Sequence, residues 1–158
     1  MIRKKVKEQK ISGDWGSVRV GVIVATFNSD ITDNLLKGAI QELEDAGVMN
    51  ENIKVLRVPG SLEIPLACKF LAKAKYDCLV ALGCVIKGET DHYYYVSGES
   101  YRKVMDISIE YSTAIGFGII TADNLKQAKA RSSDKYNIGR HAAKASLEMA
   151  RIKEEGKY

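Results

Sequence analysis

The feature that most limits the fold of this chain is an apolar run over residues 78–86 that does not alternate. Its sequence, Cys-Leu-Val-Ala-Leu-Gly-Cys-Val-Ile, offers water no polar side chain. A strand built from it has to be covered on both faces, as strands of parallel sheets are. The character then changes at once. Lys87, Gly88, Glu89, Thr90, Asp91 and His92 are polar, and Gly88 can adopt backbone angles other residues avoid. His92, Tyr95, Val96 and Glu99 follow at helical spacing. The stretch therefore reads as strand, polar loop and helix start. Ligands of open α/β sheets bind beyond the carboxyl ends of the strands, where such loops lie. A Gly-x-Thr turn entering a helix offers backbone N–H groups and a hydroxyl to an anion. His92 beside it is of the residue type that moves protons near neutrality. Alone, the stretch fits an ordinary loop with a surface histidine better than an anion cradle beside a proton shuttle, because such loops are common.

At 158 residues the chain has the length of one domain with a real core. No apolar run approaches the roughly 20 residues of a membrane helix. The basic N-terminus is followed by no apolar segment, so it does not read as a secretory signal. Cys68, Cys78 and Cys84 are odd in number and lie in apolar surroundings. They read as small core residues of a cytoplasmic protein rather than disulfides or metal ligands. With only two histidines, no metal site is expected. The net charge of +4 comes wholly from residues 1–10, where Arg3, Lys4, Lys5, Lys7 and Lys10 face only Glu8. The other 148 residues hold 19 basic and 19 acidic groups. A nucleic-acid site needs a basic face on the folded domain, which this balance does not provide.

Two units follow in order: an arm over 1–17, read as loosely attached and available to a neighbouring copy, and a domain over 18–158. Residues 18–25 are a β-branched buried strand. Thr26-Phe27-Asn28-Ser29 is the loop after it, with Ser29 or Asp30 as helix cap. The helix places Ile31, Leu35, Ala39, Leu43 and Ala46 on one face, and Gly47 ends it. Residues 53–58 form a second strand ending in Pro59-Gly60 turn chemistry. Ser61 is expected to cap a helix carrying Leu62, Leu66, Phe70 and Leu71, with Glu63 complementing its dipole. After the 78–86 strand come a helix over about 92–112, a strand over 114–120 and a short helix capped by Thr121 or Asp123. That helix ends near Arg131. A polar loop over 132–138 leads to a last helix with Ala142, Ala145, Met149 and Ala150 toward the core. The order β-α-β-α-β-α-β-α-α with right-handed crossovers gives a parallel sheet covered on both faces. It brings Phe27, Ser61 to Glu63, Val85 to His92 and Phe117 to Thr121 to one rim. Much apolar surface is left over, which fits an oligomer.

Read together, these loops resemble lumazine synthases, over about residues 18–153. The resemblance is carried by Phe27-Asn28, by Val58-Pro59-Gly60-Ser61-Leu62-Glu63-Ile64-Pro65 and by Gly83-Cys84-Val85-Ile86-Lys87-Gly88-Glu89-Thr90-Asp91-His92. Phe117-Gly118, Arg131 and the closing Glu148-Met149-Ala150 complete it. The family implies a three-layer αβα sandwich of flavodoxin-like type, without cofactor or metal. It implies condensation of 5-amino-6-(D-ribitylamino)uracil with 3,4-dihydroxy-2-butanone 4-phosphate, giving 6,7-dimethyl-8-ribityllumazine, phosphate and water. His92 would then be the proton shuttle. Phe27 would stack on the uracil, and the backbone of Cys84, Val85 and Ile86 would meet its edge. Ser61, Leu62 and Glu63 would hold the ribityl chain. Glu89, Thr90 and Arg131 would hold the phosphate. By family arrangement Phe117 and Arg131 come from a neighbouring subunit of a pentamer. Some members assemble twelve pentamers into a shell, and riboflavin synthase is an implied partner. Thr26, Leu62 and Lys87 stand where arginine, an aromatic residue and arginine are common, and the usual lysine near 137–139 is missing. Three other readings remain at this point: an archaeal-type riboflavin synthase, a non-catalytic flavin or lumazine carrier or shell protein, and a flavodoxin-like nucleotide binder. The last lacks a Gly-rich fingerprint after the first strand.

Overall fold

A computed structural model describes residues 13–156, so the basic residues of the arm, 3–10, lie outside the described part. Its elements are β1 (Val20–Ala25), α1 (Ser29–Ala46), β2 (Ile53–Val58), α2 (Ile64–Lys73), β3 (Cys78–Ile86), α3 (His92–Tyr111), β4 (Ala114–Ala122), α4 (Leu125–Arg131) and α5 (Ile138–Glu155). The sheet is parallel in the order β2-β1-β3-β4. The expected αβα sandwich is therefore present. The apolar run of β3 is buried from Cys78 to Val85 because helices cover both of its faces. Val20, Val22, Val24, Val80 and Leu82 pack with Leu35 and Leu43 of α1 and Leu147 of α5. The other face, with Ile23, Leu79, Ala81 and Ile119, meets Ile64 and Cys68 of α2 and Val104 and Ile107 of α3.

Helix α5 lies unusually close to its neighbours, and glycines make the room. A Cβ on Gly116 of β4 would run into the Ala142 carbonyl, and one on Gly139 into the Leu35 carbonyl. Asn137 caps α5, accepting from the Arg140 N–H at 3.1 Å. Its Nδ2 donates to the Asn34 carbonyl at 2.9 Å, so the same side chain ties the α5 start to α1.

Several local expectations need correction. The α1 cap position is Asn28, in the left-handed region at φ 59° and ψ 49°, not Ser29 or Asp30. Gly47 does end α1, at φ 104°. The α4 cap is Asn124, which accepts from the Gln127 N–H at 3.0 Å, rather than Thr121 or Asp123. In α2 the buried face is Ile64, Ala67, Cys68, Leu71 and Ala72, while Leu66 and Phe70 are exposed. In α5, Ala142 is buried but Ala145 and Met149 are exposed; Ala143 and Leu147 take the inner positions because the helix turns the Gly139, Ala142, Ala143, Ser146 and Leu147 face to the sheet and α1. Trp15, within the stretch read as a loose arm, is buried in the α1/α5 core. The Asn52 side chain holds the neighbouring Gly16 carbonyl at 2.8 Å.

Two outcomes follow from this packing. Gly116→Ala should lower stability by about 1–3 kcal/mol, or roughly 3–10 °C in Tm, because the obstacle is backbone that cannot rotate away. An unchanged melting curve would refute the close approach of α5. Burial also pushes the Cys68 and Cys78 thiols up to about 12 and Cys84 up to about 11, from 9.0 in water. Between about pH 9 and 11 the unfolded chain loses these protons while the folded chain keeps them, so stability falls as pH rises there. The urea midpoint should drop more steeply over that window in the native chain than in a Cys68→Ala/Cys78→Ala variant; equal slopes would rule the thiols out.

Candidate active site

The strands do not end level. Pairing of β1 with β3 stops at Val24↔Leu82, whereas β3 and β4 stay paired through Ile86↔Ala122. Residues 83–86 thus overhang β1 and leave one strand edge open. Adjacent residues in a strand turn their N–H and C=O groups to opposite edges. Lys87 donates to the Ala122 carbonyl at 2.8 Å, and Cys84 accepts from Asn28 on the other side. Val85 therefore turns its backbone to β4, and Ile86 turns its own to the open edge. This edge lies between β1 and β3, where chain connections leave in opposite directions, the usual crevice of open α/β sheets.

The loop after β1 closes one side. The Thr26 N–H donates to the Val58 carbonyl at 2.8 Å and the Phe27 N–H to the Pro59 carbonyl at 3.0 Å. Asn28 then turns left-handed, a conformation asparagine tolerates better than most residues. Its carbonyl accepts from Ile31 and Thr32, which starts α1, and its Nδ2 donates to the Cys84 carbonyl at 3.0 Å. This turn leaves the Phe27 ring outside the core, 71 % exposed.

The loop after β2 closes the second side. Pro59 and Gly60 lead into a 3-10 turn over Ser61–Glu63, and α2 begins only at Ile64. Ser61 therefore does not cap α2 through its side chain; it is buried at the base of the turn, 6 % exposed. Leu62 and Glu63 are exposed, and Glu63 Oε2 lies 3.2 Å from where a Cβ on Gly60 would stand.

The β3–α3 loop is the third side. Thr90 Oγ1 accepts from the His92 N–H at 3.4 Å, so its hydroxyl sits at the N-terminus of α3. His92 is the first residue of that helix and is exposed. Gly88 does not lie in the left-handed region, and a Cβ there would meet nothing within 4 Å. The freedom that glycine offers is thus not used at Gly88. The Lys87 ammonium lies over the Tyr94 ring, 5.4 Å from its centroid. A hydrogen bond with Tyr94 is the main cause that raises its pKa, with the charges of Tyr94 and Asp123 also contributing.

The three loops enclose a cleft of about 410 Å³. Of the residues picked out from sequence, it gathers Phe27, Ser61, Leu62, Glu63, Cys84, Val85, Ile86, Thr90 and His92. It adds Asn28, Gly60, Tyr93 and Val96. Val96 stands one turn beyond His92, which was a legible signal; the reach of Asn28 to Cys84 had none. Glu89, Phe117 and Arg131 are not in its lining. Phe117, expected at the rim, lies instead opposite Ala81 in mid-sheet, because β4 runs on to Ala122. Its ring leans on Tyr101 at 5.6 Å, beside an apolar groove of about 590 Å³ along the β4 edge. Arg131 ends α4, exposed, with Nη1 donating to the Gln127 carbonyl at 3.1 Å.

An exposed aromatic face, an open strand edge, a buried hydroxyl with a carboxylate, and a histidine on a helix N-terminus make a cleft for a flat polar ring with a polyol and an anion. Among the described residues no group of three or more His, Cys, Asp or Glu could hold a metal ion. The family model of 6,7-dimethyl-8-ribityllumazine synthase matches residues 17–154. The 6,7-dimethyl-8-ribityllumazine synthase of Nitrobacter winogradskyi is 47% identical over 142 residues, which are 85% of this chain and 85% of that protein. Those of Paracidovorax citrulli and Protochlamydia amoebophila are 43% and 38% identical, over 90% and 91% of this chain and 91% and 85% of their own lengths. With its full set of strand-end loops and this likeness along nearly its whole length, the chain belongs to the 6,7-dimethyl-8-ribityllumazine synthase family.

Proposed function

We propose that this protein is a transferase that condenses 5-amino-6-(D-ribitylamino)uracil with 3,4-dihydroxy-2-butanone 4-phosphate. The products are 6,7-dimethyl-8-ribityllumazine, phosphate and water, the penultimate step of riboflavin biosynthesis. The observation that carries the reading is the meeting of Phe27, the open Ile86 edge, Ser61, Glu63 and His92 in one cleft of a chain of this family. Its volume of about 410 Å³ is in the range of small-molecule sites. Relatives named for the synthase disfavour the riboflavin synthase and carrier readings.

In this reading the uracil stacks on Phe27, which supplies a flat apolar face. The backbone of Ile86 and the N–H of Cys84 bond its edge; the Cys84 carbonyl is already taken by Asn28, and Val85 serves as wall. Ser61 and Glu63 bond the ribityl hydroxyls, with Leu62 beside them. The phosphate sits at the α3 N-terminus on the Glu89 and Thr90 amides and the Thr90 hydroxyl. The uracil amine attacks the ketone, and His92 passes protons as water leaves to form the imine. His92 then serves phosphate departure, and ring closure expels the second water. The steps are additions of an amine to a carbonyl, proton transfers and eliminations, so the chemistry calls for no metal or organic cofactor. Holding both reactants in one cleft supplies much of the rate.

Arg131 and Phe117 stand apart from the cleft of their own chain, which supports a site completed by the neighbouring subunit. Exposed apolar residues support such a neighbour: Leu66 and Phe70 on α2, Met105 and Ile109 on α3, and the groove along β4. The assembly of this reading is a homopentamer, with a 60-subunit shell as its larger form. The arm over 1–17 leads into the domain over 18–158, with Trp15 at its end seated in the core. The protein would work in the cytoplasm, hand its product to riboflavin synthase, and bind neither nucleic acid nor membrane. No helix among the described residues is long and apolar enough to cross a membrane.

Turnover is the test: purified protein with both substrates should form lumazine well above the uncatalysed rate, and no acceleration would overturn the assignment. His92→Ala should lower kcat roughly tenfold to a hundredfold with aminouracil binding kept, the range for one acid–base group. A change within about twofold would remove His92 from the mechanism. Arg131→Ala should raise KM for the butanone phosphate about tenfold or more and leave that for the aminouracil unchanged. An unaltered KM for the phosphate substrate would refute that role.

A further inference from the structure

We infer that Gly83 is a positioning residue for the ribityl end of the cleft, acting through the hydroxyl of Ser61. The inference rests on the assignment of Ser61 to that substrate. Gly83 is the first residue of β3 beyond its pairing with β1 and lies opposite Ile119 of β4. Its backbone is not left-handed, so conformation does not demand glycine. Space does. A Cβ at this position would stand 2.6 Å from Ser61 Oγ, 3.0 Å from Ile64 Cδ1 and 3.5 Å from Ile119 Cγ2. The missing side chain is thus filled first by a hydroxyl and only then by the core.

The other tight glycines differ in what fills the gap. Gly21 makes room for Leu71 and Leu79, and Gly116 for the Ala142 backbone, so each serves packing. Residues 79, 81 and 85 turn their side chains toward α2 and α3, and position 83 shares that face. Ser61, brought down from the 3-10 turn after β2, seats its Oγ there and is buried. A serine hydroxyl has one torsion and three staggered wells. A methyl group at 83 would be relieved most cheaply by rotation of Ser61 into another well, with a small shift of the Ile64 tip. The fold would survive while the hydroxyl left its place.

A double-mutant cycle tests this, with KM for each substrate and Tm as readouts. Ser61→Ala should raise KM for the aminouracil about threefold to tenfold, as loss of one neutral hydrogen bond does. Gly83→Ala should raise it by a similar factor, with kcat and KM for the butanone phosphate little changed. The double variant should match Ser61→Ala, because no other atom of residue 61 lies closer to the added Cβ than 3.5 Å. Additive effects, or a loss confined to Tm, would overturn the inference and make Gly83 a packing residue. If Ser61→Ala itself leaves KM for the aminouracil unchanged, the assignment of Ser61 fails instead. Should Gly83→Ala not fold, the double variant decides: it should fold and match Ser61→Ala, and its unfolding would overturn the inference.

Discussion

The candidate site depends on a mismatch in strand length. Were β1 as long as β3, its ladder would continue to Ile86 and consume every backbone group on that edge. Instead β1 stops at Ala25, and the Thr26–Asn28 loop swings toward the end of β2. Asn28 closes the gap with one hydrogen bond to Cys84 and leaves the rest of the edge open. An unpaired strand edge in the interior would be costly. Here it faces a cleft open to water, so the open groups remain solvated until a ligand replaces the water.

The sheet can afford such an edge because its body is held from both sides. Parallel strands buried on two faces leave little freedom for β3 to slide or twist. Register is set by the side-chain sets that face α1 and α5 on one side and α2 and α3 on the other, and a one-residue slip would exchange them. Close packing of α5 through Gly116 and Gly139 stiffens the β4 side, against which β3 is paired along its whole length. Gly116 lies opposite Val80, so this support reaches β3 in mid-strand, just before the four overhanging residues.

Strands and their order were legible because apolar runs such as 78–86 admit few other readings. Helix faces were less so. α2 is apolar nearly all round, with Leu66 and Phe70 on one side and Ile64, Cys68 and Leu71 on the other; periodicity cannot say which side a single chain buries. In α5 the inner face mixes Gly139, Ala142, Ala143 and Ser146 with Leu147, while Ala145 of the same size is exposed, so composition alone does not mark it. Trp15 stands alone in a polar, glycine-containing stretch, without a period to mark it. The caps Asn28 and Asn124 were missed because several polar residues adjoin each helix start, and the cap is selected by backbone geometry. The cleft residues were legible as strand-end loops, whereas Phe117 and Arg131 lie on the far side of β3. No local pattern tells where a second copy would place them.

The strand order also carries a consequence for how the chain is made. β1 pairs with β3, whose first partner Cys78 follows a whole helix, a strand and another helix. Closing so long a loop is entropically costly and slow compared with forming local turns. On a ribosome, β1 therefore lacks a partner on one edge until β3 has emerged, and the apolar face of α1 is completed only by α5 near the end of the chain. The cleft, which needs the ends of β1, β2 and β3 and the start of α3 together, cannot exist before Val96 has emerged. A nascent chain halted before β3 would expose the valines of β1 and become a client for chaperones rather than a half-built enzyme.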